Sequence, residues 1–150
     1  VGEGSQRQQL EAFCQEQGID ACVQWVGKVN YGALGKYFRQ ADVFVLPTLE
    51  DTWGVVVLEA MTLGRSVLCS RYAGASELII DGKNGFCFDP LDTPALAERM
   101  KQFIDQPELA TSLGETAQEM MQAYSPEAAA QFLSTVTQFV LQSPIATSEV

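Results

Sequence analysis

The sequence predicts an α/β fold with a parallel sheet, and three observations predict it. Residues 42–46, Asp-Val-Phe-Val-Leu, are an apolar, β-branched and aromatic run stopped by Pro47, as a short buried strand is. A helical stretch then runs from about Gly54 until Gly64 ends it. A second short apolar run, Val67-Leu-Cys69, follows at once. Strand, loop, helix and strand in that order make the two strands parallel, joined by a right-handed crossover.

The other elements follow in order. Val1-Gly-Glu-Gly4 reads as the tail of a strand and its turn. Ser5 can cap a helix running to about Gln17, with Leu10, Phe13 and Cys14 on one face and Gly18 at its end. Residues 22–26, Cys-Val-Gln-Trp-Val, alternate and stop at Gly27, which predicts a strand. A short helix over about 32–40 precedes the strand at 42–46, and Thr52 is the expected N-cap of the helix after it. Beyond Cys69, a loop and short helix reach Ile80, Asp81-Gly-Lys-Asn-Gly85 is a turn, and Phe86-Cys-Phe88 is the last strand. Asp92 or Thr93 then caps a helix with Pro94 in its first turn and a buried stripe of Leu96, Met100, Phe103 and Ile104. Two more helices are expected, from Pro107 to about Ala123 and from Pro126 to about Leu141. The second carries an apolar stripe of Phe132, Leu133, Val136, Phe139 and Val140, expected to pack against the domain. Residues 1–142 thus make one domain and 143–150 a flexible tail.

The chemistry concentrates in residues 47–64, Pro-Thr-Leu-Glu-Asp-Thr-Trp-Gly-Val-Val-Val-Leu-Glu-Ala-Met-Thr-Leu-Gly. Ligands of open α/β sheets bind off the carboxyl ends of the strands, where the loop after Leu46 must lie. A helix starting there points unpaired N–H groups and a positive dipole end into the crevice, which suits a phosphate, and Gly54 lets it approach the backbone. Glu59 lies about 7–8 Å further along the axis at 1.5 Å per residue. A phosphate at the helix tip leaves Glu59 near a ribose, and Asp51 near hydroxyls of a group beyond the phosphates. The arrangement suits a sugar nucleotide. The bland reading is that Glu50, Asp51 and Glu59 are solvated helix-start and helix-face carboxylates.

This segment resembles the signature of the retaining GT-B glycosyltransferases of family 4: an acidic residue, seven residues, then Glu, in a Pro-Ser-x-x-Glu-x-Phe-Gly-x-x-x-x-Glu-Ala-Met setting. Here Asp51 and Glu59 form the pair, Trp53 stands for the Phe, and Gly54 and Glu59-Ala-Met61 are intact. Asp51 replaces the usual Glu, and Glu50 offers a carboxylate one residue earlier. The resemblance covers nearly the whole chain. It implies the C-terminal, donor-binding half of a GT-B fold, a Rossmann-like parallel sheet flanked by helices, with its first strands and the N-terminal acceptor-binding domain upstream of Val1. It further implies that Asp51 (or Glu50) holds the transferred sugar as the catalytic carboxylate and that Glu59 holds the ribose. The backbone of Thr52, Trp53, Gly54 and Val55 takes the diphosphate, and the loop of Gly27, Lys28, Val29 and Asn30, with Leu34, receives the base. Gly27 read without the family is a strand-end turn. Transfer of a hexose in this family needs neither cofactor nor metal. The cations set against the diphosphate lie upstream, so the isolated chain is expected to bind nucleotide feebly and not to turn over.

Composition bounds the alternatives. Of 150 residues, 47% are apolar and 19% charged, which is ordinary for a globular domain. The formal net charge of −10 disfavours nucleic acid or an anionic membrane as partner. With no His, imidazole acid–base chemistry and Ser-His-Asp triads are excluded. The cysteines at 14, 22, 69 and 87 form no C-x-x-C pair and read as reduced apolar residues of a cytoplasmic protein. No run is long enough to span a membrane, though the intact enzyme can associate with one through other parts. Arg7 stands where a dinucleotide-binding G-x-G-x-x-G needs its third Gly, which disfavours an oxidoreductase. Arg71, in the loop after the second strand, reads as a solvated surface cation. The competing class is a non-catalytic Rossmann-like α/β domain with a structural or regulatory role.

Overall fold

In the computed structural model, which describes residues 1–142, three short strands form one parallel sheet in the order β1-β2-β3. They are β1 (Val43–Leu46), β2 (Ser66–Ser70) and β3 (Gly85–Phe88). Val43 pairs with Ser66, and Val67 with Gly85, so the strands are nearly in step. The central strand β2 is buried along its whole length, which is why its middle, Val67-Leu-Cys69, is a continuous apolar run rather than an alternating one.

Six helices accompany the sheet in the described residues: α1 (Arg7–Glu16), α2 (Tyr31–Gln40), α3 (Val55–Thr62), α4 (Thr93–Asp105), α5 (Pro107–Met121) and α6 (Pro126–Gln142). The chain divides into two units, Val1–Tyr37 and Phe38–Val150. In the second, one face of the sheet is sealed by Leu68, Phe86 and Phe88 packed with Phe103 of α4 and Leu113 of α5. Phe86 and Phe103 meet edge to face, with ring centroids 6.0 Å apart. By strand alternation Val67, Cys69 and Cys87 point to the opposite face. Helix α3, the crossover, buries Val57, Ala60 and Met61. It stops at Gly64, whose φ of +69° is left-handed, as a helix-ending glycine's usually is. Helix α5 runs so close to the start of β2 that a Cβ on Gly114 would overlap the carbonyl oxygen of Gly64. Ser66 Oγ donates to the Ala110 carbonyl at 2.7 Å across the same approach.

The turn expected at 81–85 is held by two side chains. Asp81 Oδ1 accepts from the Cys87 N–H at 2.7 Å. The fully buried Asn84 accepts from Ile80 N and donates to the Leu78 carbonyl, each at 2.8 Å. Asp92 is the cap of α4, accepting from Ala95 N at 3.1 Å.

Several expectations are corrected. Residues 22–26 are not a strand: Val23 is extended, but no described strand pairs with the segment, and an unpaired extended chain makes no ladder. Residues 1–4 are likewise irregular, with one bond from Gly2 N–H to the Gly27 carbonyl at 2.8 Å. Helix α1 begins after Gln6, with no side-chain cap from Ser5, and only Cys14 of its apolar face is buried. Thr52 does not cap α3, because Gly54 occupies the N-cap position in a left-handed conformation. On α4, Phe103 is buried, while Met100 and Ile104 face solvent because the sheet covers only a narrow stripe of that helix. The α6 stripe does not pack as expected: Phe132 is 68% and Leu133 64% exposed, with Val136, Phe139 and Val140 also exposed. A stripe defines a face and cannot supply what covers it. The tail expected at 143–150 lies outside the described residues. Among the described residues no helix is long and apolar enough to cross a membrane.

Candidate functional site

The loop between β1 and α3 stands at the carboxyl end of the sheet and is tied to the loop that leaves β2. Asp51 N–H donates to the Tyr72 carbonyl at 3.3 Å, Gly74 N–H to the Asp51 carbonyl at 3.2 Å, and Ala75 N–H to the Trp53 carbonyl at 2.5 Å. Asp51 and Ala73 form an isolated parallel bridge, so the ladder of β1 and β2 resumes beyond their ends. This approach needs Gly74, where a Cβ would overlap the Thr52 carbonyl oxygen and stand 3.1 Å from Trp53 Cα. The spacing of the carboxylates gives Gly74 no part in the site. The signal was there in an Ala-Gly-Ala run directly after a buried strand, where close backbone contact is a known use of glycine.

Within the loop, Thr48 Oγ1 donates to the Glu50 carbonyl at 2.8 Å and accepts from Glu50 N at 3.2 Å, which closes the turn and leaves the Glu50 side chain exposed. Asp51 is half-buried, and its Oδ1 accepts from Trp53 N–H at 3.0 Å. One carboxylate oxygen of Asp51 therefore shapes the turn. Of the amides expected to take a phosphate, that of Trp53 is already paired. Thr52 is exposed and bonds nothing through its hydroxyl among the described residues.

Gly54 is buried, with φ +85°, and a Cβ there would lie 3.3 Å from Leu46 Cδ2 and 3.5 Å from both Ala73 Cβ and Ala75 Cβ. A left-handed residue in that pocket is what starts α3 at Val55. Its carbonyl accepts from Val57 N–H at 2.9 Å. Among the described residues nothing accepts from the N–H groups of Gly54, Val55 and Val56, so the first turn leaves three unpaired donors, on a buried glycine, an exposed valine and a half-buried valine. Glu59, one turn on, is half-buried and its carboxylate has no partner among the described residues. Glu50, Asp51, Thr52, Trp53, Gly54, Val55 and Glu59 are thus brought together on one loop and one helix. Val29 and Leu34 belong to the first unit, Val29 in an irregular segment and Leu34 on α2, both half-buried. Arg71 is exposed, its guanidinium 3.4 Å from Asp89, as a surface pair.

Under the loop, Cys69 and Cys87 sit opposite each other in register on β2 and β3. Burial first, then the neighbouring Cys87 and Asp51, push the Cys69 thiol up to about 12. Burial and Asp81 raise Cys87 as well. These thiols stay protonated at neutral pH and act as small apolar side chains.

The family model of "Glycosyl transferases group 1" matches residues 1–120. The chain belongs to that family. The group 1 chain is 35% identical over 102 residues to a sucrose synthase of Denitrovibrio acetiphilus, a match covering 65% of this chain and 13% of that protein. An alpha-D-kanosaminyltransferase of Streptomyces kanamyceticus is 29% identical over 137 residues, covering 91% of this chain and 36% of its own. Among solved structures, a sucrose-phosphate synthase of Thermosynechococcus elongatus superposes with a TM-score of 0.77 at 30% identity, over 93% of this chain and 36% of the other. The chain therefore spans about a third or less of the length of these relatives. Its parallel sheet flanked by helices matches the C-terminal domain of the GT-B glycosyltransferases.

Proposed function

We propose that this chain is the donor-binding part of a retaining glycosyltransferase that moves a hexose from a nucleoside diphosphate sugar to an acceptor. The observation that carries the reading is the first turn of α3, with open N–H donors at Gly54, Val55 and Val56 and the unpaired carboxylate of Glu59 one turn along the same helix. Three amides and the dipole of one helix contribute up to about 2 kcal/mol toward a diphosphate. Glu59 accepts from ribose hydroxyls, each such charged hydrogen bond contributing roughly 1.5–3 kcal/mol. Asp51, through the oxygen not used in its turn, or the exposed Glu50, accepts from the transferred sugar. The helix tip then opposes the charge that develops on the leaving diphosphate as the glycosidic bond breaks, and that phosphate takes the acceptor's proton. The reading calls on no metal. The Anabaena protein Alr3699/HepE, whose structure was solved in complex with UDP and glucose, shares the fold at a TM-score of 0.74 and 22% identity, which supports a nucleotide-sugar donor.

One observation favours a second reading. Asp51 already serves the turn through Oδ1, as it would in a non-catalytic domain. Titrating UDP, GDP and ADP into the 150-residue chain separates the two. The transferase reading expects amide shifts at Gly54, Val55 and Glu59 at millimolar nucleotide, weakened roughly tenfold to hundredfold in Glu59→Ala. Silence of these amides with all three nucleotides favours the non-catalytic domain. The isolated chain is expected not to turn over, and sustained sugar transfer by it would contradict that part.

A further inference from the structure

The amides and carboxylates of the loop leave one large side chain without a role. Trp53 is 42% exposed at the rim of the sheet, although its backbone is among the most firmly held of the loop. Its N–H is taken by Asp51 Oδ1 at 3.0 Å and its carbonyl by Ala75 N–H at 2.5 Å. The indole lies against Gly74, since a Cβ there would come within 3.2 Å of Trp53 Cε3. Among the described residues its indole N–H donates to nothing. A fixed aromatic ring is thus left half open to solvent beside the exposed Glu50 and the half-buried Asp51, on the residue directly before the open donors.

We propose that the Trp53 indole is the surface on which the pyranose ring of the donor stacks, and that it helps set which sugar the site accepts. The proposal rests on the transferase reading above and assigns the side chain a contact separate from the backbone's part in holding the diphosphate. A pyranose has a rim of hydroxyls and, in the gluco series, a face of axial C–H bonds. The negative face of an indole attracts those polarised C–H groups, while neighbouring carboxylates accept from the rim. Both kinds of group stand here within four consecutive residues, Glu50 and Asp51 at one end and Trp53 at the other, and Gly74 lets the ring lie close with no side chain of its own in the way. A sugar with an axial hydroxyl on the stacked face loses part of this contact, which is how a flat ring discriminates.

The test uses the 150-residue chain and the two indole N–H signals, Trp25 and Trp53, told apart with Trp25→Phe. UDP-glucose and UDP are titrated in parallel, and the same pair with GDP or ADP if that base binds better. The expected result is that both ligands move the Gly54 and Val55 amides, while the sugar nucleotide alone moves the Trp53 indole signal. Trp53→Ala should weaken UDP-glucose by roughly threefold to tenfold and UDP by less than twofold, the worth of one stacked ring. Trp53→Phe should retain most of the difference and guards against a loop that fails to form in the alanine variant. If Gly54 and Val55 respond but the indole does not distinguish sugar nucleotide from UDP, the stacking proposal is overturned and the transferase reading stands. Equal weakening of both ligands in Trp53→Ala and Trp53→Phe also overturns it. If no amide of the helix tip responds to any nucleotide, the transferase reading fails and takes this one with it.

Discussion

Gly74 shows how one missing side chain sets the site. The two loops at the carboxyl ends of β1 and β2 can exchange three backbone hydrogen bonds only because residue 74 brings nothing between them. Gly74→Ala is expected to cost about 1–3 kcal/mol of stability through overpacking and to abolish nucleotide-dependent shifts at Gly54. Gly82 is the control: φ is +73°, but the nearest atom to a Cβ is 3.9 Å away, so Gly82→Ala should cost about 1–2 kcal/mol from backbone strain and leave the nucleotide response intact. Urea unfolding and the same titration check both. Cys69 gives a pH prediction. Its thiol rises from 9.0 to about 12 in the fold, mainly by burial. Between those values the unfolded chain loses the proton and the folded chain keeps it. The folded state then binds more protons, and the unfolding free energy falls as pH rises, by up to about 1.4 kcal/mol per pH unit from this group. The contribution is fully present below pH 9.0. Urea midpoints for wild type should drop between pH 8 and pH 10.5, and Cys69→Ala should show a shallower drop.

At the scale of elements, what was legible is what local chemistry decides. The β1–α3–β2 unit follows from two apolar runs and the glycines at 54 and 64, and the structure adds only the one-residue shifts that tertiary hydrogen bonds impose. Asp92 as a cap and the turn at 81–85 were legible for the same reason. What was not legible depended on partners. Residues 22–26 have a strand's alternation, but a strand exists only where a neighbour pairs with it. Local sequence points to Thr52 as the cap of α3, but the left-handed turn at Gly54 is packed against Leu46, Ala73 and Ala75, which lie elsewhere in the chain. In the site, the carboxylates were legible as a spacing, and the bond from Trp53 N–H to Asp51 Oδ1 is local, two residues apart, whereas the need for Gly74 came from a loop twenty residues on. The stripe on α6 makes the same point and a prediction. Leu133→Ala should change stability by less than about 0.5 kcal/mol, because the side chain is largely solvated. Phe103→Ala, inside the cluster with Leu68 and Phe86, should cost about 3–5 kcal/mol. Guanidinium melts of the two variants give the comparison, and a large cost at Leu133 would show that α6 is covered in solution.

At the scale of the whole molecule, the charge balance opposes the proposed ligand. Nineteen acidic against nine basic side chains leave a formal charge of −10, and a nucleoside diphosphate is itself an anion. The helix tip attracts the diphosphate only over the last few ångströms, since its field falls off within the first turn. The net charge repels it over the Debye length, about 30 Å at 0.01 M salt and 8 Å at 0.15 M. Added salt therefore screens the long-range repulsion much more than the short amide contacts. The dissociation constant for UDP, GDP or ADP should tighten as salt rises from 0.01 to 0.15 M, by roughly threefold to tenfold. A site that held the diphosphate with lysines or arginines would behave the opposite way, because salt weakens cation–phosphate pairs. The titration at two salt concentrations thus reads the binding mode directly: tightening means open amides working against a negative surface, and weakening means a cation of this chain at the diphosphate, which would remove the first turn of α3 from its central place.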